Sequence, residues 1–440
     1  MKYIGSIDDF KKIFSKNLYN KIMKETSIAI FRKDITKEVY NEILEELYYE
    51  LINNTYKPSC IDETIYSYKT NNVARIIPVF AIKDELLYYF LCKMIENEIA
   101  VNRTVNTYGG WLLGNKIKLE EDSEIDYVYK SYNPTLWNEN WKLFQNILIF
   151  ELNDLNEDDI IIKLDIANFY DNINLDILEK MILSELPREK LEYIYLLFYL
   201  LKSWNLKNDV YSIKTVGIPQ NEFGDQSRLL ANFYLQNYDE SIKNICDLSN
   251  AKYIRYADDQ IIILKNIEKE NNIMYVIARE LNLLGLNLNA SKVKKYNKET
   301  IKILYGIPIF KLLDENKLDE ACDLFFRYKE NTEFDFNYTS SLKRFLNIGL
   351  KNFCMSNSSR IKAIITEYQF VKESNSYYME KIYYNLSSEE QQGFIELIYK
   401  IAEESKYNSF HYNAINFLKK INKEENFDKL LNLIKDIKNI

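Results

Sequence analysis

One tetrapeptide constrains the fold of this chain more than any other feature: Tyr256-Ala257-Asp258-Asp259, between two short apolar runs in Lys252–Leu264. Two apolar runs around a short polar turn predict a β-hairpin with both acids at its tip. Adjacent ionised carboxylates repel each other, so the pair favours a site that binds divalent cations through oxygen ligands. A solvated Asp-Asp turn is the alternative, and the tetrapeptide alone does not decide between them.

A second acid, Asp165, follows the apolar run Ile161–Leu164. This run predicts a buried strand that ends at Asp165, and Asp171-Asn172 predicts a helix start further on. A strand-end acid beside the acids of a hairpin is the arrangement required for two-metal phosphoryl transfer. One metal there activates the attacking 3′ hydroxyl, and the other carries the triphosphate. Taken alone, Asp165 would as often be an N-cap or a plain strand-end acid.

Five segments resemble, in order and in spacing, the motifs of reverse transcriptases. They are a fingers segment, Ala74–Asp84, and four palm motifs, Asp165–Tyr170, Gly217–Gln220 with Ser227–Leu235, Tyr256–Asp259 and Leu284–Lys292. The resemblance covers roughly residues 60 to 310. It implies an α+β fold with right-hand fingers and an RRM-like palm. It also implies an RNA-directed DNA polymerase, a nucleotidyltransferase that uses two Mg²⁺ ions.

The same resemblance assigns ligands and a proton donor. The two metals would be held by Asp165, Asp258, Asp259 and the backbone carbonyl of Ile166, and Lys292 would protonate the leaving pyrophosphate. A basic stretch follows, and it suits a nucleic-acid backbone as well as it suits one charged face of a surface element. Its lysines are Lys294, Lys295, Lys298 and Lys302.

Three further residues would contact the nucleotide. Tyr170 stands where the family places an aromatic ring beneath the incoming sugar, so that a 2′ hydroxyl is excluded and deoxynucleotides are expected. The alternative for Tyr170 is a plain core tyrosine. Arg75 would grip the triphosphate through its planar fork and Lys83 as a point charge. For Lys83, a solvated surface lysine is an equal interpretation.

The second palm motif implies a loop of Gly217, Pro219 and Gln220 beneath the template–nucleotide pair, supported by a helix from Ser227. Ser227, like the three loop residues, is expected to contact the substrate. This chain departs from the family pattern at three places. Asn221 replaces a glycine and the spacer after it is longer by two residues. Arg228 stands where intron-type enzymes have proline, and Asn106–Trp111 lacks the arginine of its motif. An ordinary template grip therefore does not follow.

Composition agrees with a folded enzyme of two domains: 440 residues, 47% hydrophobic, with ten glycines and six prolines. A net charge of −8 implies that basic residues concentrate in a groove. The five cysteines show no close pairing, and the single histidine, His411, excludes Ser-His-Asp hydrolases, HNH nucleases and most zinc enzymes. No signal peptide or membrane-length apolar run is visible, so we expect a cytoplasmic protein without a membrane partner.

Helical patterns frame the motifs. Ser6 opens one helix by a capping pattern, and residues 36–53 are typical of an amphipathic helix. From about 311 apolar residues recur at three and four, and Ser387 with Glu390 forms a capping box before a helix to about 404, followed by helices from about 409 and about 426. The pattern predicts fingers and palm in 1–310, with N-terminal helices in about 1–60. Residues 311–440 would form an all-α domain of HEAT-like helix pairs, although no fixed repeat period is visible.

A polymerase core with a helical tail most resembles the abortive-infection and defence-associated reverse transcriptases of bacteria. That resemblance implies antiphage defence and, as in some members, template-independent synthesis primed on a protein hydroxyl. None of the 36 tyrosines is singled out. Expected partners are dNTPs, a single-stranded DNA product or RNA, and a second copy of the chain. The alternatives are a templated reverse transcriptase that copies a dedicated noncoding RNA, and a catalytically silent nucleic-acid-binding scaffold or sensor.

Overall fold

The chain packs as two units, each with its own apolar core. The computed structural model describes residues 4–20, 35–68, 74–100, 103–110, 113, 136–204, 215–220, 225–265, 267–352, 355–405, 407–421 and 431. The first unit comprises residues 1–64 and 77–297, and the second comprises 65–76 and 298–440. Buried side chains run from Ile4 to Leu286 in the first core and from Ile309 to Leu418 in the second. The described residues form a helix-rich α+β protein.

In the part of the chain that the structure describes, seven strands form two sheets. They are β1 Glu63–Tyr68, β2 Ala74–Val79, β3 Thr107–Tyr108, β4 Ile160–Asp165, β5 Ala251–Tyr256, β6 Asp259–Leu264 and β7 Lys294–Tyr296. Strands β1 and β2 pair with each other, whereas the other five form one sheet in the order β3-β5-β6-β4-β7. The β3–β5 pair is parallel and the three remaining pairs are antiparallel. Sequence reasoning predicted β4 and the β5–β6 hairpin with its acidic tip, and the structure has both.

Helices cover this sheet. Those of the first unit are Ile7–Ile13, Lys37–Ile52, Ile82–Ile99, Leu136–Asn153, Phe169–Asn172, Leu175–Glu185, Leu191–Ser203, Asp225–Tyr234, Gln236–Leu248 and Glu270–Leu283. Because helices pack over the central strands β4, β5 and β6, these strands are buried along most of their length and show no clean alternation of apolar and polar residues. Ser6 caps the first of these helices through its side chain, as its sequence pattern predicts, and Thr36 caps the second in the same way.

One predicted helix start is wrong. Asp171-Asn172 does not begin the long helix but lies within the single turn Phe169–Asn172. The long helix begins after Asn174, whose side-chain oxygen accepts hydrogen bonds from the backbone N–H groups of Asp176 and Ile177. Asparagine caps a helix as well as aspartate does. The N-cap is therefore Asn174, three residues after the predicted Asp171.

The second unit is helical where the structure describes it beyond residue 297. Its helices are Lys298–Leu304, Ile307–Asp314, Leu318–Glu330, Tyr338–Ile348, Met355–Ile365, Tyr368–Glu373, Ser376–Tyr384, Ser388–Glu404 and Asn408–Lys420. The capping box of Ser387 and Glu390 is present, and its helix ends at Glu404 as predicted. The helix predicted from about 426 lies outside the described residues. Among the described helices, none combines the length and the apolar composition that a bilayer span requires.

The domain boundary predicted at 310/311 remains a prediction, as does the HEAT-like pairing of the tail. In the structure the division falls at 297/298, because the helices Lys298–Leu304 and Ile307–Asp314 pack with the second unit. Ile309, in the second of these helices, belongs to the second core.

Candidate active site

Strand register brings the three predicted acids together. Asp165 at the end of β4 lies directly opposite Asp259, the first residue of β6. Asp258, directly before Asp259, is the second residue of the two-residue turn between β5 and β6. Tyr256 and Asp259 pair with each other on either side of this turn. Like charges directly opposite each other on antiparallel strands destabilise a sheet. The register therefore concentrates negative charge that only cations can offset.

The electrostatics of the site reflect the closeness of the carboxylates. Burial, followed by repulsion from Asp259 and Asp165, raises the pKa of Asp258 from its usual 3.8 to about 6. Lysines lie on the other two acids: the ammonium of Lys292 is 3.0 Å from Asp165 Oδ1, and that of Lys163 is 3.5 Å from Asp259 Oδ1. The site thus carries protein cations on two of its three carboxylates.

These residues fit a divalent cation by their donor chemistry. Carboxylate oxygens are hard ligands, and a cation among them would relieve the repulsion that raises the pKa of Asp258. Within the described residues, however, no three side chains of the His, Cys, Asp and Glu types converge closely enough to hold one ion. A cation would compete with Lys292 for Asp165 and with Lys163 for Asp259. Ile166, the predicted carbonyl ligand, is buried and forms a β-bridge with Leu288.

The segment Leu284–Lys292 contacts the end of β4. The N–H of Asn289 donates to the backbone carbonyl of Asp165 over 2.8 Å, and its side-chain amide lies 3.4 Å from Asp165 Oδ2. The single 3₁₀ turn Ala290–Lys292 then directs the Lys292 side chain onto Asp165. Sequence reasoning predicted Lys292 at the site but did not single out Asn289.

The glycine loop is bound to the segment that carries Tyr170. The N–H of Gly217 donates to the carbonyl of Ile173 over 2.8 Å, and that of Ile218 donates to the carbonyl of Tyr170 over 3.0 Å. Gly217 has a φ of 90°, a conformation that glycine adopts readily and other residues rarely do. Tyr170 is half-buried, with its ring edge-on to Phe169. The loop and the tyrosine therefore form one substructure.

The helix Asp225–Tyr234 supports this region from behind. Ser227 is buried, and its hydroxyl is hydrogen bonded to that of Tyr88 at 2.9 Å, while the neighbouring Gln226 donates to Glu85. Both partners lie on the helix Ile82–Ile99. These contacts agree with the expected supporting role of the helix. They leave the Ser227 hydroxyl no exposed surface for the substrate contact that was predicted.

Arg228, on the same helix, is half-buried and lies near Tyr170 and Tyr256. Burial disfavours its charged form, but the Asp225 carboxylate, 3.1 Å from the guanidinium, more than offsets this and raises the pKa of Arg228 above its usual value. Gly110 lies against the stem of Arg228, where any side chain would collide with it. From the sequence, Arg228 was noted only as a departure from the family pattern. The structure places it beside the predicted sugar-contacting tyrosine.

Two predicted phosphate contacts have other surroundings in the structure. Lys83 forms an ion pair with Glu50 over 2.9 Å and lies 5.8 Å from the centre of the Tyr56 ring. A triphosphate would have to displace Glu50 from Lys83. Arg75 is exposed on β2, in a segment that packs with the second unit. In the basic stretch, Lys295 pairs with Glu270 over 2.6 Å.

Sequence reasoning missed a buried charge network directly behind the acidic turn. Arg255 on β5 is fully buried, and its guanidinium binds Asp239 through two hydrogen bonds of 2.7 and 2.5 Å. Its third nitrogen donates to the Asn232 side chain over 2.9 Å and to the carbonyl of Ala257 over 2.8 Å. No local signal distinguishes Arg255, because β5 also contains Lys252, which is exposed. Burying an arginine is costly unless its donors are satisfied, and here its partners come from distant segments.

The comparison with protein families identifies the domain. Residues 126–309 match the model described as reverse transcriptase (RNA-dependent DNA polymerase). The match includes the strand-end acid, the glycine loop, the acidic hairpin and Lys292. The chain therefore contains a reverse transcriptase domain, the domain of RNA-directed DNA polymerases, which are nucleotidyltransferases. No curated protein sequence matches the chain significantly.

Two similar solved structures are of apo telomerase from Candida tropicalis. One, truncated from the C-terminal domain, has a TM-score of 0.33 and 14% identity, and the match covers 60% of this chain and 56% of that one. The other has a TM-score of 0.35 and 13% identity, covering 92% of this chain and 71% of that one. This chain thus spans little more than half of the first structure's length. At these scores the likeness carries no argument about function.

Proposed function

We propose that this protein adds deoxynucleotides to a 3′ end at the site formed by Asp165, Asp258 and Asp259. The observation that carries the proposal is the β4–β6 register, which gathers three carboxylates at the meeting point of a strand end and a hairpin turn. Such a set serves phosphoryl transfer rather than stability, since it carries unfavourable repulsion. Two Mg²⁺ ions held there would activate the attacking hydroxyl and stabilise the charge of the leaving pyrophosphate.

The other residues have roles that follow from their places. Tyr170, fixed by its backbone contact with the Gly217 loop, would lie beneath the sugar and exclude a 2′ hydroxyl. Lys292 lies on Asp165, and we assign it the protonation of the leaving pyrophosphate. Arg228 adds a half-buried guanidinium beside Tyr170, suited to a nucleotide phosphate. Pro219 and Gln220 complete the loop beneath the nucleotide.

A role in antiphage defence is the finer part of the proposal. It is supported by the resemblance of the chain to abortive-infection reverse transcriptases, which combine a polymerase core with a helical tail. The described part of the second unit is helical beyond residue 297, as that resemblance implies. Template-independent synthesis primed on a protein hydroxyl belongs to the same proposal, because some members of that group work in this way.

The test incubates purified protein with Mg²⁺ and each labelled deoxynucleotide, without template or primer, and resolves products before and after proteinase digestion. DNA that shifts on proteolysis and is absent with Asp258→Ala supports protein-primed, template-free addition. Product that forms only with supplied or co-purified RNA supports the polymerase but overturns template independence. No product under either condition overturns the catalytic proposal.

The defence role has a separate readout. Cells that express the wild-type chain should survive phage challenge better than cells that express Asp258→Ala at equal protein level. If the variant protects equally well, defence does not depend on synthesis and the silent-scaffold alternative is favoured. If neither protects against a broad phage panel, the defence role fails while the polymerase proposal stands.

A further inference from the structure

The turn that carries Asp258 has an unusual backbone. Ala257, its first central residue, has a φ of 53°, in the left-handed region that glycine favours and alanine rarely adopts. A non-glycine residue stays in that region only when the surrounding structure holds it there. Since Asp258 follows directly, whatever fixes the conformation of Ala257 also fixes the direction of the Asp258 carboxylate.

Ala257 is held through both of its backbone polar groups. Its N–H donates to the carbonyl of Tyr108 on β3 over 3.1 Å, extending the parallel β3–β5 ladder by one residue. Its carbonyl accepts from Arg255 Nη1 over 2.8 Å. The acceptor of the first bond lies on a two-residue edge strand, whereas the donor of the second bond is a fully buried guanidinium. Arg255 is therefore the more rigid of the two restraints.

The guanidinium itself has little freedom to move. Asp239 accepts from Nε and Nη2, which is the bidentate pairing that fixes the guanidinium plane. Tyr253 donates to the same carboxylate over 2.7 Å, and the Asn232 amide oxygen accepts from Nη1 over 2.9 Å. With its plane fixed in this way, Nη1 presents a hydrogen to the Ala257 carbonyl at a set position.

A glycine pair gives Asn232 its place in this arrangement. A side chain on Gly109 would lie 2.7 Å from Asn232 Nδ2, and the φ of Gly109 is 131°. Asn232 Nδ2 donates to the carbonyl of Gly110 over 3.3 Å. Because Gly109 has no side chain, it leaves room for the Asn232 side chain, which contacts Arg255. Gly109 and Gly110 belong to the motif that lacks its usual arginine.

We propose that Arg255 is a positioning residue for nucleotide addition, which sets the Asp258 carboxylate by clamping the carbonyl of Ala257 in the left-handed turn. The proposal rests on the proposed function, since it concerns the carboxylate that would bind the catalytic metals. Residues behind a metal ligand commonly change metal affinity or activity by roughly tenfold to a hundredfold when they are replaced.

The diagnostic substitution is Arg255→Lys. Lysine keeps the positive charge beside Asp239, but its single ammonium cannot contact both oxygens of Asp239 and the Ala257 carbonyl in fixed geometry. We expect kcat to fall roughly tenfold to a hundredfold and Mn²⁺ affinity, followed by the electron paramagnetic resonance signal of free Mn²⁺, to fall to a similar extent. KM for the deoxynucleotide should change little. Arg279→Lys, the same change at an exposed helix position, is the matched control and should alter neither quantity.

A rescue experiment separates positioning from mere stability. Glycine adopts the left-handed region without strain, so Ala257→Gly in the Arg255→Lys background should recover part of kcat and of Mn²⁺ affinity. Arg255→Lys should also lower the thermal unfolding midpoint. Ala257→Gly should not restore this midpoint, because the bidentate contact with Asp239 and the contact with Asn232 remain broken. If the single variant fails to fold, Asn232→Ala, which removes one restraint on Nη1, is measured in the same way and with the same Ala257→Gly rescue.

The outcomes are distinct. Loss of kcat and Mn²⁺ affinity with rescue by Ala257→Gly supports the clamp. Wild-type activity and affinity in Arg255→Lys, or a loss that tracks the thermal midpoint and is not rescued, overturns it. A wild-type protein that adds no nucleotide under any condition overturns the proposed function instead, and the Mn²⁺ titrations then still report whether Arg255 orders the acidic turn.

Discussion

The two units of this protein bury different kinds of side chain. In the described part of the chain, the first unit buries many charged residues: Asp84, Glu85, Lys93, Glu96, Glu151, Asp159, Asp165, Asp239 and Arg255. The buried polar residues described in the second unit are Ser341, Ser374, Ser405 and His411. The second core is otherwise apolar, for example Phe325, Leu342 and Phe345.

This difference indicates where geometry matters. A buried ion pair stabilises little in net terms, because desolvation offsets most of its attraction, and apolar residues of similar volume often do as well. A protein that needed only stability would use the apolar solution of the second unit throughout. The charged network around Asp239 and Arg255 is better explained by the acidic turn that it holds. Ion pairs of the second unit, such as Arg344 with Asp314, lie on its surface.

The largest effect should come from the acidic turn itself. Asp258→Asn keeps the shape of the side chain but removes one of three mutually repelling charges. Nucleotide addition should fall by at least roughly a thousandfold, which is about 4 kcal/mol of transition-state stabilisation. The metal-free variant should nevertheless unfold at a higher temperature than wild type, because repulsion is relieved. Added Mg²⁺ should raise the wild-type midpoint and not that of the variant. A variant less stable than metal-free wild type would contradict this account.

Next in size is the removal of one partner from a buried ion pair. Asp239→Ala leaves the Arg255 guanidinium buried without its counter-charge, so the free energy of unfolding should fall by about 4 kcal/mol. The matched change in the second unit is Asp314→Ala, which frees the exposed Arg344 and should cost less than about 1 kcal/mol. Denaturant titration of both variants measures the contrast. Equal losses would mean that burial of charge does not distinguish the units.

A cavity in the second core should lower the free energy of unfolding by a smaller amount, and it should affect the second unit alone. Leu342 is fully buried among apolar side chains, and Leu342→Ala should lower the free energy of unfolding by about 3 kcal/mol. Because the two cores are distinct clusters, calorimetry should show the loss in one transition only. The metal-induced shift at the acidic site should persist. A uniform downward shift of all transitions would show instead that the units unfold together.

Much of the site could be predicted from sequence because its elements are local. Asp165 ends an apolar run, and Tyr256 to Asp259 join two such runs, so the β4 end and the hairpin are encoded in short segments. The caps at Ser6 and Ser387 are equally local and are present as predicted. The coarse family resemblance, too, is confirmed by the match over residues 126–309.

What the sequence did not predict depends on contacts between distant segments. Arg255 looks like a solvated strand residue until Asp239 and Asn232 are brought against it. Ser227 looks like a substrate contact until Tyr88, far away in the chain, takes its hydroxyl. Lys83 likewise pairs with Glu50 on an N-terminal helix. Side-chain partners of this kind are fixed by tertiary packing and leave no local pattern.

The single histidine offers the smallest and most specific test. His411 is buried, and both ring nitrogens face backbone carbonyls: Nδ1 that of Tyr407 at 3.1 Å, and Nε2 that of Ala402 at 2.9 Å. Ala402 lies in the last turn of the helix Ser388–Glu404. Burial lowers the pKa of His411 below its usual 6.5, although the two carbonyls oppose this. The folded state therefore favours the neutral ring.

This shift gives a pH dependence with a definite sign. The unfolded chain binds the histidine proton below about pH 6.5, before the folded protein does, so stability should be full above that pH and fall as the pH drops towards the lowered folded value. In His411→Gln, whose amide can still donate to the Ala402 carbonyl, this part of the pH dependence should disappear. Thermal midpoints of the second-unit transition at pH 8 and pH 5.5 test it, with Asn413→Gln on the same helix as a matched control that keeps the histidine. A wild-type midpoint that rises on acidification, and does so only with His411 present, would mean that the carbonyls outweigh burial and that the second unit, too, contains a buried charge.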